Sequence, residues 1–163
     1  MRSLVLILLL SLINHSYAES DKDLLNRLSA LSEATPLIAI NEIKTELQKD
    51  TYSVETNLQL KLRLSRAYDV SGDFLNSLAI AEEVLIKASE IQNDEIVARA
   101  QFSIATGNFE LGKYSIALDK YKLALKIYKK LNLPAKVGRA LMAIGNTLSQ
   151  YGKFESALEY HMK

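Results

Sequence analysis

From residue 23 onward the apolar residues of this chain fall at helical spacing, and the pattern is interrupted at regular intervals by glycine or by capping residues. Between Val54 and Val70, Leu58, Leu60, Leu62, Leu64, Ala67 and Tyr68 are dense enough to predict a helix buried on more than one side. Ser53 stands where an N-cap is needed. Ser71-Gly72-Asp73 closes the segment, because glycine tolerates the left-handed conformation that ends a helix. A second helix is predicted from about Phe74 to Ile91. Asn93-Asp94 then supplies a turn and a cap, with Asp94 and Glu95 at the helix start, where the backbone dipole favours acids. The next helix runs from about Ile96 to Leu111, is stopped by Gly112, and is followed by another from Ser115 to Leu131. Pro134 marks a further start, since its missing N–H would be unpaired there in any case. The pattern continues from about Ala135 to Tyr151, stops at Gly152 and resumes near Glu155. Upstream, Thr35-Pro36 opens a helix to about Gln48, and Asp23 to Leu31 reads as a short leading helix. No segment alternates as a strand requires.

The punctuation has a fixed period. Gly72-Asp73-Phe74 recurs as Gly112-Lys113-Tyr114 and again as Gly152-Lys153-Phe154, in steps of forty residues. Self-similarity at this length marks a solenoid, in which each unit buries its apolar face only against its neighbours. The predicted fold is therefore all-α, a right-handed α-solenoid of antiparallel helix pairs. Its units span about 53–92, 93–132 and 133–163, the last one truncated. Residues 19–52 form N-terminal helices that are either a degenerate first repeat or a separate cap.

The residues of these units resemble the tetratricopeptide repeat. In the second unit the motif positions hold Ile104-Ala105, Gly112, Tyr114, Ala117, Tyr121 and Ala124. In the third they hold Leu141, Ile144-Gly145, Gly152, Phe154, Ala157 and His161. The first is weaker, with Leu64-Ser65, Tyr68, Gly72 and Phe74 followed by Ser77, Ala81 and Val84. Small residues at 105, 117, 124, 145 and 157 let helices approach closely, while Tyr114, Tyr121 and Phe154 are expected to fill the gaps between them. Departures are the absence of Trp, Asn108 at a usually aromatic position, and no closing Pro, which is similar to the long-helix repeats of kinesin light chains and several bacterial signalling proteins. The resemblance implies a scaffold for protein–protein interaction and not an enzyme. It also implies an alternative: the periplasmic input segment of a membrane-bound diguanylate cyclase or histidine kinase, with the catalytic part beyond residue 163. By analogy with Ser115–Leu131, the last helix is expected to continue about eight residues past Lys163.

Residues 1–18 read as a signal peptide. Arg2 gives the positive start, Leu4 to Leu12 is apolar apart from Ser11, and Ser16-Tyr17-Ala18 fits the small-x-small cleavage rule, leaving Glu19 as the mature start. The apolar run is too short to cross roughly 30 Å of hydrocarbon as a helix; anchoring by an uncleaved N-terminal segment is the alternative. The chain contains no Cys, so disulfides, zinc-thiolate sites and cysteine nucleophiles are excluded. A cysteine-free exported protein suits the periplasm of a Gram-negative bacterium. Losing residues 1–18 takes Arg2 from the twenty basic residues, leaving nineteen against nineteen acids. A neutral mature chain gives no reason to expect a nucleic-acid partner. The mature repeats are not expected to insert into a membrane.

The first helix of each pair is expected to form the concave face. By repeat register that face holds Gln59, Leu62, Arg63, Arg66 and Asp69, then Arg99, Phe102, Ser103, Thr106 and Phe109, then Arg139, Met142, Ala143, Asn146 and Ser149. Arginine forks suit carboxylates, and Phe102, Phe109 and Met142 suit apolar side chains, so Arg63, Arg66, Arg99, Phe102, Thr106, Phe109, Arg139, Met142 and Asn146 are the candidate residues for holding a peptide or protein partner. Chaperone-binding members of the resembled family clamp a peptide C-terminus with Lys and Asn. Asn146 matches one Asn position, but Leu62, Phe102 and Met142 stand at the Lys position, which argues against that clamp. The lysines at 113, 120, 122, 126, 129 and 130 read as a solvated face interrupted by Asp119. His161, the one mature histidine, reads as a packing residue. Glycines recur singly and never as a phosphate-cradling loop, and the acids lack metal-binding spacing. No cofactor, metal or catalytic set is expected.

Overall fold

The computed structural model describes residues 19–163; the predicted signal peptide, residues 1–18, lies outside the described residues. Eight helices follow one another: α1 (Asp21–Ala34), α2 (Pro36–Leu47), α3 (Val54–Val70), α4 (Phe74–Glu90), α5 (Asp94–Glu110), α6 (Tyr114–Lys130), α7 (Pro134–Gln150) and α8 (Phe154–His161). The described residues contain no strand.

From α3 to α7 every helix has seventeen residues and every link three, so the structural step is twenty residues, half the step visible in the glycines. The backbone explains why. Gly72, Gly112 and Gly152 take φ of 84°, 73° and 76°, and Gln92 and Asn132 take the same left-handed turn at 55° and 53°. Each closes its helix with the same pair of hydrogen bonds. At Gly112 the amide donates to Phe109 O at 2.9 Å and the Lys113 amide to Asn108 O at 2.8 Å; at Gln92 the bonds run to Ser89 O at 3.1 Å and from Asn93 to Ala88 O at 3.0 Å. This is the bonding that satisfies the last carbonyls when one residue turns left-handed. Asn tolerates that backbone; Gln pays about 1–2 kcal/mol for it. Helix starts are capped in the expected way. Ser53 and Asn93 accept the amides of Thr56 and Ile96 at 3.0 Å, and Asp73 accepts that of Asn76 at 3.2 Å.

Each helix packs on the next, and among the inner helices α1 also packs on α3 and α3 on α5. The core accordingly comes in serial clusters. Leu24, Leu28, Ile43, Leu60 and Leu64 form the first. Leu58, Leu62, Val84 and Ile96 form the second. Tyr121, Leu125, Tyr128, Leu141 and Ile144 belong to the third. Ala105, Ala117 and Ala124 are fully buried, which is what lets the helix backbones close up. Gly145 has a stricter role. A Cβ there would lie 2.5 Å from Cε1 of His161, so the histidine ring occupies the space that a side chain would need.

Four positions compare directly with the sequence expectations, and two of them, the leading helix and Phe154, need adjusting. The leading helix is longer than Asp23 to Leu31 because Ser20 caps it, accepting the Asp23 amide at 3.2 Å. Asn108 is buried at the aromatic position and satisfies itself, its Nδ2 donating to Ile104 O at 2.8 Å. Tyr114 does lie between Phe109 and Tyr151, at ring-centre distances of 5.7 and 6.1 Å. Phe154 fills no gap among the described residues: it is 70% exposed.

Candidate functional site

A cleft of about 150 Å³ opens on the inner-helix face. Its walls are Ser29, Ser32 and Glu33 of α1, Leu62, Arg63 and Arg66 of α3, Arg99, Phe102 and Ser103 of α5, Tyr128 of α6, and Lys136 and Arg139 of α7. The repeat register produces this convergence. Arg99 and Arg139 are forty residues apart and so occupy the same place on successive inner helices, with Arg63 and Arg66 on the one before.

The cations differ in what neutralises them. Arg66 is fully engaged: its Nε and Nη2 donate to the two oxygens of Glu33 at 2.7 and 2.8 Å, and its Nη1 to Asp69 at 2.7 Å. Lys136 pairs with Glu95. Arg63 donates only to backbone carbonyls, those of Leu25 and Gln59. Arg139 is exposed and lays its guanidinium over the Phe102 ring, 4.9 Å from the centre. Arg99 has neither a hydrogen bond nor an ion pair among the described residues. Three guanidinium groups therefore share one cleft with no carboxylate of their own.

That arrangement leaves a mark on proton affinity. Burial, with repulsion from Arg99, pushes Arg63 down to about 10. Arg99 is also lowered, mainly by burial, with Arg139 repelling it and Tyr128 and Glu95 partly offsetting this. Burial pushes the Tyr128 hydroxyl up to about 12 against the pull of Arg99 and Arg139. Glu33 is held below its ordinary value by the hydrogen bond from Arg66. Asp69 is raised by burial, which outweighs Arg66, and its second oxygen has no partner. Both lowered arginines remain charged at neutral pH, so the cleft is cationic.

Phe102 anchors the floor. It stands edge-on to Tyr121 at 4.9 Å and 64°, and Thr106 reaches both elements, bonding to Phe102 O and to the Tyr121 hydroxyl at 3.1 Å. Thr106 lines a smaller adjoining recess of about 20 Å³ with Ser65, Asp69 and Ser77. Of the nine candidate residues, Arg63, Arg66, Arg99, Phe102 and Arg139 meet in the main cleft, and Thr106 lies beside it. Phe109 does not join them, because its ring is held in the stack with Tyr114. Met142 and Asn146 are exposed on α7 and line neither recess. Sequence reasoning missed Tyr128, Lys136 and the α1 wall. Tyr128 carries a usable signal, since it follows Tyr121 by seven residues on one stripe of α6. Glu33 carries none, because its partner Arg66 is thirty-three residues away.

No protein-family model matches the chain, and no curated protein does. Among solved structures the chain is similar to a Rap protein, described as the crystal structure of Rap protein complexed with competence and sporulation factor. The TM-score is 0.75 at 18% identity, covering 89% of this chain and 43% of that one. The likeness shows the fold: a right-handed, tetratricopeptide-like solenoid of helix pairs. The chain spans less than half the length of that neighbour.

Proposed function

We propose that this solenoid is a binding scaffold that holds a peptide or protein partner on its inner-helix face. The observation that carries this reading is the cleft in which Arg63, Arg99 and Arg139 meet Phe102 and Tyr128 without neutralising acids. Guanidinium forks beside aromatic rings are suited to recognising protein segments, which offer planar carboxylates and apolar stems. The lining groups are poor material for a reaction centre, since protonated arginines neither accept a proton nor act as nucleophiles at neutral pH. The Rap neighbour, solved with a factor bound, supports the use of this fold for holding partners. No helix among the described residues is long and apolar enough to cross a membrane.

The test is comparative capture. Residues 19–163 serve as bait in cell extract, with retained proteins identified by mass spectrometry. Arg99→Ala with Arg139→Ala should lose the partner. Lys122→Ala with Lys126→Ala, on the exposed face of α6, should keep it. Equal capture by all three baits would overturn the reading.

A further inference from the structure

We propose that the cleft between α1, α3, α5 and α7 anchors a carboxylate of the bound peptide on the guanidinium groups of Arg63, Arg99 and Arg139. The proposal rests on the scaffold reading above and adds the chemistry of the ligand. Five of the residues lining the cleft are cationic and one is acidic, in a chain whose described residues balance to zero. Two of the five, Arg66 and Lys136, already have acids. The other three lack one, and they repel one another: Arg99 disfavours the charge on Arg63, and Arg139 disfavours that on Arg99. Like charges held together and partly dried are unfavourable until an anion joins them. An anion seated among them would relieve that repulsion and gain charge-assisted hydrogen bonds.

The cleft already shows how it receives a carboxylate. Glu33 reaches in from α1 and is taken bidentately by Arg66, and it also feels the charge of Arg139. The peptide carboxylate would sit beside this internal one, between Arg99 and Arg139. Leu62, Phe102 and Tyr128 surround that place and would cover the alkyl stem. The space of about 150 Å³ suits a short acidic stem and not a large group. Two sources share this chemistry, an Asp or Glu side chain and a peptide C-terminus. Glu33 then acts as a competitor: its charge occupies Arg66 and weakens the field that the ligand meets.

The experiment passes a random synthetic library of short peptides with free C-termini over residues 19–163 and identifies retained peptides by mass spectrometry. Retained peptides are resynthesised with an amidated C-terminus, or with each Asp and Glu converted to its amide. Affinity should fall roughly tenfold or more when the anchoring carboxylate is neutralised. The two resyntheses tell a terminal carboxylate from a side-chain one. Arg139→Glu, at an exposed position and with its thermal unfolding midpoint measured alongside, should weaken binding at least as much, and Glu33→Gln should strengthen it. Peptides that bind equally well with every carboxylate neutralised, or that need one yet ignore Arg139→Glu, overturn the anchor and leave the scaffold reading intact. If no peptide is retained, the scaffold reading falls and the anchor with it.

Discussion

The pair α5/α6 and the terminal pair α1/α2 solve the same packing problem with different means. In α5/α6 both helices have seventeen residues, the link is a three-residue glycine turn, and aromatic pairs join the elements: half-buried Phe102 on buried Tyr121, and Phe109 on Tyr114, both half-buried. In α1/α2 the helices have fourteen and twelve residues and meet across Thr35 alone, with Pro36 starting the second. Ion pairs flank that junction: Arg27 bridges Glu19 and Glu42, and Glu33 reaches Arg66 of the next pair. Exposed pairs of this kind contribute about 0–1 kcal/mol each, so Leu28 and Ile43, both fully buried, still hold the terminal pair. The regular pairs supply a repeated frame. The irregular pair supplies what repetition cannot, one acidic wall that closes the cleft on a single side.

That contrast can be broken at several strengths. Tyr121→Ala should be most severe, costing about 3–5 kcal/mol in a denaturation experiment, since it opens a cavity in the third cluster and removes the ring that Phe102 packs on and the hydroxyl that Thr106 meets. Leu28→Ala should cost about 2–5 kcal/mol, but locally. Units that touch only their neighbours open separately, so hydrogen exchange should rise in α1 and α2 while α6 and α7 keep their protection. A uniform loss of protection would mean one cooperative body and erase the distinction. Next is Gly145→Ala, expected to cost about 1–3 kcal/mol because His161 must leave, loosening α8. The turns should respond in opposite directions by about 1 kcal/mol or less: Gly112→Ala is destabilising through its left-handed backbone, with open space around it, and Gln92→Gly is stabilising. The smallest effect is on acid tolerance. Glu33 titrates below its ordinary 4.5 when folded, so its contribution is present above that value and is lost as pH falls through the lowered one. Urea midpoints of Glu33→Gln and the parent, compared below pH 4.5, should show the parent losing stability that the variant never had.

The sequence carried the frame and only part of the cleft. Glycine every forty residues, small residues at the crossing points and Ser, Asp or Asn at helix starts are local signals, and they appear where the chain needs them. The twenty-residue step was hidden because residue 92 is Gln, a type with no preference for left-handed backbone. The arginine face was legible from register. Which cations find an acid was not, because Glu33 of α1 reaches Arg66 of α3 and Glu95 of α5 turns to Lys136 of α7, leaving Arg99 on its own helix without one. Phe109 shows the limit of register alone: it has the right position on α5, but Tyr114 claims its ring.

The uniform seventeen-plus-three step also restricts how such a chain can change length over time. Deleting one residue inside α5 would rotate everything after it by about 100° about the helix axis, swinging Arg139 away from Arg99. Inheritable gains or losses that keep the partner surface in phase should therefore arrive as whole forty-residue modules, most readily by tandem duplication, and small frame-preserving indels should be tolerated only in the link between α2 and α3.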